Sequence, residues 1–285
     1  MLNRLTVLLR APRSGLRGLL PVLLLFSPLP FVSAQGPSAT PERSTFKDPT
    51  TALWINTYGN VRLTDRFFWI AQTHFRFAET PERPFAGQIA QLYNRHAISY
   101  LYSKKFQASL GGVLRLNFNT GEVGEADRDL VPEWRIWHEY LFAVPFERII
   151  VYHRIRVEHR WTKGFSPSSE YIFRNRWRYM ASVKIPINKP KLKPHAFYIA
   201  PEAELIMQSG KPVAGSPLED LRLHTSLGYI VTPRLTVATG AMLSFGQELN
   251  DPTVFKQKWT WRMHCYFAPD WRKIKHKLPD IHRLE

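Results

Sequence analysis

From residue 52 onward, apolar and polar residues alternate with a period of two, and eleven stretches carry the alternation. They are 52–63, 66–78, 90–103, 106–119, 132–144, 148–162, 169–187, 195–208, 219–231, 234–247 and 255–268. Each is rich in aromatic and β-branched residues and is bounded by turn-forming sequence, which predicts β-strands, and no segment has the 3.6-residue period of an amphipathic helix. The connections are of two kinds. "TD", "KK", "PFE" and "TP" are tight, whereas "ETPERPFAG", "TGEVGEADRDLV", "KGFSPSS", "SGKPVAGSPL" and "ELNDPTV" are longer, polar and bear Gly or Pro. Long strands joined in this way are the layout of a transmembrane barrel, and they exceed the ~5–6 residues usual in a soluble sandwich.

The pattern therefore predicts an all-β, antiparallel up-and-down transmembrane β-barrel over 52–268. An odd count of eleven would leave the first strand starting on the opposite side from the end of the last, so 10 to 12 strands are expected, with 12 favoured. One face of each strand should then meet lipid and the other look into a lumen. In 148–162, Arg154, Arg156, Glu158 and Arg160 alternate with Ile155, Val157, His159 and Trp161. Arg174, Arg176 and Arg178 do the same against Phe173, Trp177 and Tyr179, and Glu202 and Glu204 against Ala203 and Leu205. Further inward candidates are Gln72, His74, Arg76, Arg115, Asn117, Asp220, Arg222, His224, Arg262 and His264. Trp54, Trp69, Trp134, Tyr140, Trp161, Trp259 and Trp261 are candidates for the aromatic girdles at the membrane interfaces.

A hairpin centred on Phe146 and Glu147 would set Glu133 opposite Arg160, Arg135 opposite Glu158, Trp137 opposite Arg156 and Glu139 opposite Arg154. All three charge pairs then have opposite signs, the stabilising arrangement for directly facing residues. A shift of two residues would set Arg135 against Arg160. The same reasoning after Ile187 brings Arg176 and Arg178 near Glu204 and Glu202. The expected lumen ion-pair belt is thus Glu133, Arg135, Glu139, Arg154, Arg156, Glu158, Arg160, Arg174, Arg176, Arg178, Glu202, Glu204 and Arg222, acting to fix register and fill the lumen.

The segment ahead of the strands changes the picture. Arg4, Arg10, Arg13 and Arg17 precede the short apolar run "LLPVLLLF" and the small-residue ending at Ala34, so 1–34 is expected to be a signal peptide cleaved on export. Residues 35–51, rich in Pro, Ser and Thr, form a flexible lead-in, and the basic segment 269–285 a tail outside the barrel. The chain has 39 Lys plus Arg against 23 Asp plus Glu, a formal charge of +16. Loss of the leader's four arginines still leaves a basic protein. In an exported chain with acidic residues set among the arginines, lipid phosphate or a charged lumen explains that excess better than nucleic acid. The single Cys265 excludes an internal disulfide framework.

The hairpin order, the Arg-x-Arg-x-Glu-x-Arg strand at 154–160, "YIFRNRWRY", "YIAPEAEL" and "LRLHTSLGYIVTPRLTV" together resemble the exported barrel family catalogued as domain of unknown function 2490, over roughly Ala52 to Pro269. The resemblance implies an outer-membrane β-barrel and supplies no catalytic residues.

Candidate chemistry is sparse. Some outer-membrane barrels are lipid hydrolases with His and Ser on the outer wall, and His138, His153 and His159 are expected there with Ser166, Ser168 and Ser169 in the following loop, but no G-x-S-x-G elbow is present. The glutamates all have predicted arginine neighbours, which favours structural pairing over general acid–base work. No ligand spacing suggests a metal or cofactor. The reading is a Gram-negative outer-membrane barrel of structural or narrow transport role, with outer-membrane lipid and the barrel-assembly machinery as partners and a small solute or lipid as a possible ligand. An outer-membrane lipid hydrolase and a soluble periplasmic ligand-binding barrel are the alternatives.

Overall fold

The alternating stretches form strands whose polar face turns inward and whose apolar face turns outward. The computed structural model describes residues 45–121, 128–213, 216–248, 251 and 253–273; the expected leader, most of the lead-in and the end of the tail lie outside them. The elements are β1 (Thr45–Phe46), β2 (Thr50–Arg62), β3 (Phe67–Thr80), β4 (Arg83–Ser103), β5 (Phe106–Phe118) and β6 (Leu130–Pro145). They continue with β7 (Ile150–Thr162), β8 (Ile172–Pro186), β9 (Phe197–Ser209), β10 (Leu218–Thr232), β11 (Leu235–Gln247) and β12 (Val254–Phe267). Among the described residues no helix is long and apolar enough to cross a membrane, which says nothing of strands.

β2 to β12 pair in chain order to form a closed wall of eleven strands, and β1 brings the sheet to twelve. Neighbours are antiparallel except at the seam, where β12 returns to β2 in parallel, with Thr260 opposite Ala52 and His264 opposite Asn56. The seam corrects the expectation of antiparallel pairing throughout and answers the parity problem. With an odd number of up-and-down strands the first and last point the same way, and a parallel ladder still satisfies their backbone groups. β1 extends the seam by pairing Thr45 with Val254.

The β6–β7 register differs from the expected one by two residues. Pro145 faces Ile150, Arg135 faces Arg160, Trp137 faces Glu158 and Glu139 faces Arg156. A two-residue hairpin turn at Phe146 and Glu147 would favour left-handed backbone there, yet among the described residues positive φ at non-glycine positions occurs only at Phe85 and His195. The chain instead turns over four residues, with the Phe146 N–H donating to the Ile149 carbonyl at 2.8 Å. "ETPERPFAG" also departs from its expected long loop: Thr80 faces Arg83, so only Pro81 and Glu82 remain between β3 and β4.

The seam is clasped beyond β12. The Arg62 N–H donates to the Pro269 carbonyl at 2.8 Å, the Trp271 N–H donates to the Arg62 carbonyl at 2.9 Å, and Arg272 pairs with Asp270 at 3.0 Å and with Asp65. The first residues of the expected free tail therefore continue along the barrel rim.

Apolar packing gathers at the end of the barrel where β8 meets β9. Leu192 and Ala196 from the connecting loop cluster with Tyr198, Ala200 and Ile230, and Ile150 packs against them. Leu141 and Tyr152 form an adjoining cluster. Gly228 is required beside this packing, because a Cβ there would collide with the ring and hydroxyl of Tyr198, which is itself 1 % exposed.

Candidate functional site

Strand alternation places the charged side chains of β6 to β9 in the interior, and the barrel's tilt decides which of them meet. Arg135 and Arg160 face each other across the ladder, yet neither pairs with its opposite. Arg135 reaches Glu158 at 2.7 Å and Glu133 at 2.5 Å, and Arg160 reaches Glu133 at 3.1 Å. Diagonal neighbours ~7–8 Å apart lie within reach of long side chains. The expected partners therefore meet by a route other than direct opposition; Arg154 with Glu139 at 3.6 Å completes the trio.

Glu158 is the hub. It is 0 % exposed and lies 2.7 Å from Arg135, 2.9 Å from Arg178, 3.5 Å from Arg176 and 3.9 Å from Arg95. Glu204 receives Arg154 and Arg178, each at 2.7 Å, and Arg222 at 3.6 Å. Glu139 holds Arg156 at 2.5 Å. Glu202 pairs with Arg262 at 3.5 Å rather than with Arg178, and Arg176, expected near Glu204, donates from Nε to Glu219 at 2.7 Å. Arg174 departs from its expected role: its guanidinium donates to Gln208 at 3.3 Å and Thr162 at 3.2 Å, and among the described residues no carboxylate pairs with it.

Two members of this network escape the alternation rule or its simple use. Glu219 stands out of phase with Asp220 and Arg222, and it turns toward Arg160 and Arg176 at the register shift between Leu218 and Asp220. A bulge re-aims a side chain in this way and leaves little trace in the residue pattern. Arg95 follows alternation with Tyr93 and Ala97, and that phase was the signal available for finding it.

The remaining inward candidates line the other side. The guanidinium of Arg76 lies over the Trp54 ring, 3.7 Å from its centroid, which corrects the expected place of Trp54: it faces the lumen, not a lipid interface. Tyr93 Oη accepts from Arg76 at 2.9 Å and Arg115 at 3.0 Å. His74, His224 and His264 are buried near Tyr58 and Tyr266.

Together these side chains leave little space. At mid-lumen, between Trp54, His74, Arg95, Arg154, Glu204 and Arg262, a cavity of 40 Å³ remains, far below the ~300–1,000 Å³ of a small-molecule site. A larger cavity of 520 Å³ lies where β5, β7 and β8 meet their loops, against Ala90 and Gln91 of β4 and Glu133 of β6.

The outer face carries the opposite chemistry. Ile98, Leu110, Trp134, Ile136, Ile155, Trp177, Leu205, Leu223, Leu227, Trp259, Trp261 and Met263 are exposed. At the outward positions of β2 to β12 between the rims there is no Asp, Glu, Lys or Arg. His153 is hydrogen-bonded to Tyr179 at 2.8 Å and His159 to Asn175 at 2.7 Å. Ser166 bonds Ser168 at 3.0 Å, and among the described residues no hydrogen bond joins these serines to a histidine. The structure does not bring the candidate hydrolase residues together.

The chain belongs to the family described as "Protein of unknown function (DUF2490)", whose family model matches residues 51–254. The match covers β2 to β11 and stops at the first residue of the closing strand β12. No curated protein matches the chain.

Proposed function

We propose that this protein is an integral β-barrel of the Gram-negative outer membrane, acting as a closed structural or solute-receiving wall component. The partition of charge carries this reading. Formal charge is confined to the lumen and the rims, and a girdle of exposed Leu, Ile, Trp and Met surrounds the outside. A lipid-facing Arg or Lys costs ~2–4 kcal/mol at mid-membrane, so an outward face without any is suited to lipid. A soluble barrel would gain nothing from excluding charge there, and so large an apolar surface would promote association.

The filling of the lumen favours a closed barrel over a diffusion pore. A barrel of this strand number is only modestly wider than the ~8-stranded barrels that side chains fill, and here long ion-paired arginines occupy the middle while apolar side chains cluster at one end. Carbonate washing of membranes from cells expressing the protein tests the location. It is expected to remain in the pellet; release into the wash would instead indicate a periplasmic binder. In planar bilayers the closed reading expects no steady current, and a sustained anion-preferring conductance would replace it with a narrow channel.

A further inference from the structure

We propose that the 520 Å³ cavity at the long-loop rim is a binding site for a small organic oxyanion, a solute bearing a phosphate or carboxylate group. Its volume falls in the ~300–1,000 Å³ range of small-molecule sites. Its polar floor is formed by Arg174, Arg115 and Glu133, Lys163 stands at its edge, and Phe165 and Ile172 contribute an apolar side.

Among the described residues the charge at this floor is not balanced. Among the described residues Glu133 is the only carboxylate lining the cavity, and it is shared among Arg115 at 2.8 Å, Arg135 at 2.5 Å and Arg160 at 3.1 Å. Among the described residues Arg174 donates only to the neutral oxygens of Gln208 and Thr162, and the buried Nε atoms of Arg174 and Arg115 have no hydrogen-bond partner there. Lys163 lies over the Tyr171 ring at 4.9 Å. Arg174 is only half-buried and lines the cavity, and the planar donor fork of its guanidinium matches an oxyanion in geometry as well as charge. The apolar side favours an anion that carries a carbon body. The inward position of these side chains selects a solute entering the barrel over a lipid headgroup held at its outer face. Binding requires only the folded barrel, so it stands apart from where the barrel resides.

The test uses the full chain in dodecyl maltoside micelles, which contain no phosphate, titrated calorimetrically with phenyl phosphate and, as a neutral control, phenyl glucoside. Saturable binding of phenyl phosphate alone is expected, weakening as salt is raised. Arg174→Gln should weaken it by at least about tenfold, the scale of a charge-assisted hydrogen bond, and Arg174→Lys by less. Circular dichroism establishes that each variant folds, and Lys163→Gln, outside the strands, provides a second variant with an expected loss of about threefold, the scale of an exposed charge. Equal binding of both probes, no saturable phenyl phosphate binding, unchanged affinity in folded Arg174→Gln, or binding that appears only after anionic lipid is added would each overturn the proposal.

Discussion

The two sides of the lumen are built on different physics. The side formed by β6 to β9 is ionic: Glu133, Glu139, Glu158 and Glu204 are each held by at least two arginines, so every carboxylate has named partners. The side formed by β10 to β12 with β2 and β3 is mostly neutral. There the nitrogens His224 Nδ1 and Nε2, His264 Nδ1 and Nε2, and His74 Nε2 have no hydrogen-bond partner among the described residues. The rings pack instead, with His264 stacked on Tyr266 at 5.7 Å and on Tyr58 at 5.6 Å. One wall depends on specific partners and the other on shape. A buried ion-pair network stabilises little relative to a well-packed apolar substitute, but it is severely sensitive to loss of one member.

That difference sets an order of sensitivities. Glu158→Gln leaves Arg95, Arg135, Arg176 and Arg178 without their shared carboxylate, and a loss of ~3–5 kcal/mol is expected. Urea unfolding in detergent, followed by tryptophan fluorescence, measures it; an unchanged midpoint would mean the ionic wall is not held by its hub. On the neutral wall, Gly228→Ala forces a methyl group into the space of Tyr198, with an expected cost of ~1–3 kcal/mol from overpacking. If that variant loses more than Glu158→Gln in the same assay, shape rather than charge dominates the interior.

His264→Phe keeps the stacking and removes no hydrogen bond to a protein group, so its cost should stay below ~1.5 kcal/mol. A larger loss would show that the imidazole does more than pack. The smallest effect is expected at the seam clasp, outside the strands. Hydrogen bonds from Arg272 hold the Asp270 carboxyl down at about 2, below the usual carboxylate range. Because the folded state lowers this pKa, the clasp's contribution is complete above the ordinary carboxylate range and fades as pH falls toward 2. The melting temperature of Asp270→Asn should therefore lie slightly below that of the native chain at pH 6 and converge with it near pH 2. A gap that persists at pH 2 would show that the clasp does not act through ionised Asp270.

Much of this architecture was legible in the residues. Each of the eleven alternating stretches became a strand, since a half-buried pleated surface requires a period of two. The partnership of Arg135 with Glu158 was legible for the same reason, though the facing residues were not. Trp54 was misplaced because 52–63 has apolar residues in both phases: Leu53 and Ile55 on one, Trp54 and Tyr58 on the other. In β7 the four charges occupy a single phase, and its faces could be assigned at once.

The sequence by itself determined the strands, the segregation of charge to one face and three of the pairs that meet, Glu133 with Arg160, Arg135 with Glu158 and Glu139 with Arg154. These depend on neighbours along the chain or on partners long enough to find each other over several registers. Only the tertiary structure decided the parallel seam, the two-residue register shift, the inward turn of Glu219 and the pairing of Arg174 with Gln208 and Thr162 in place of a glutamate. Each of these depends on how eleven tilted strands close on one another, a constraint that no single stretch of residues carries.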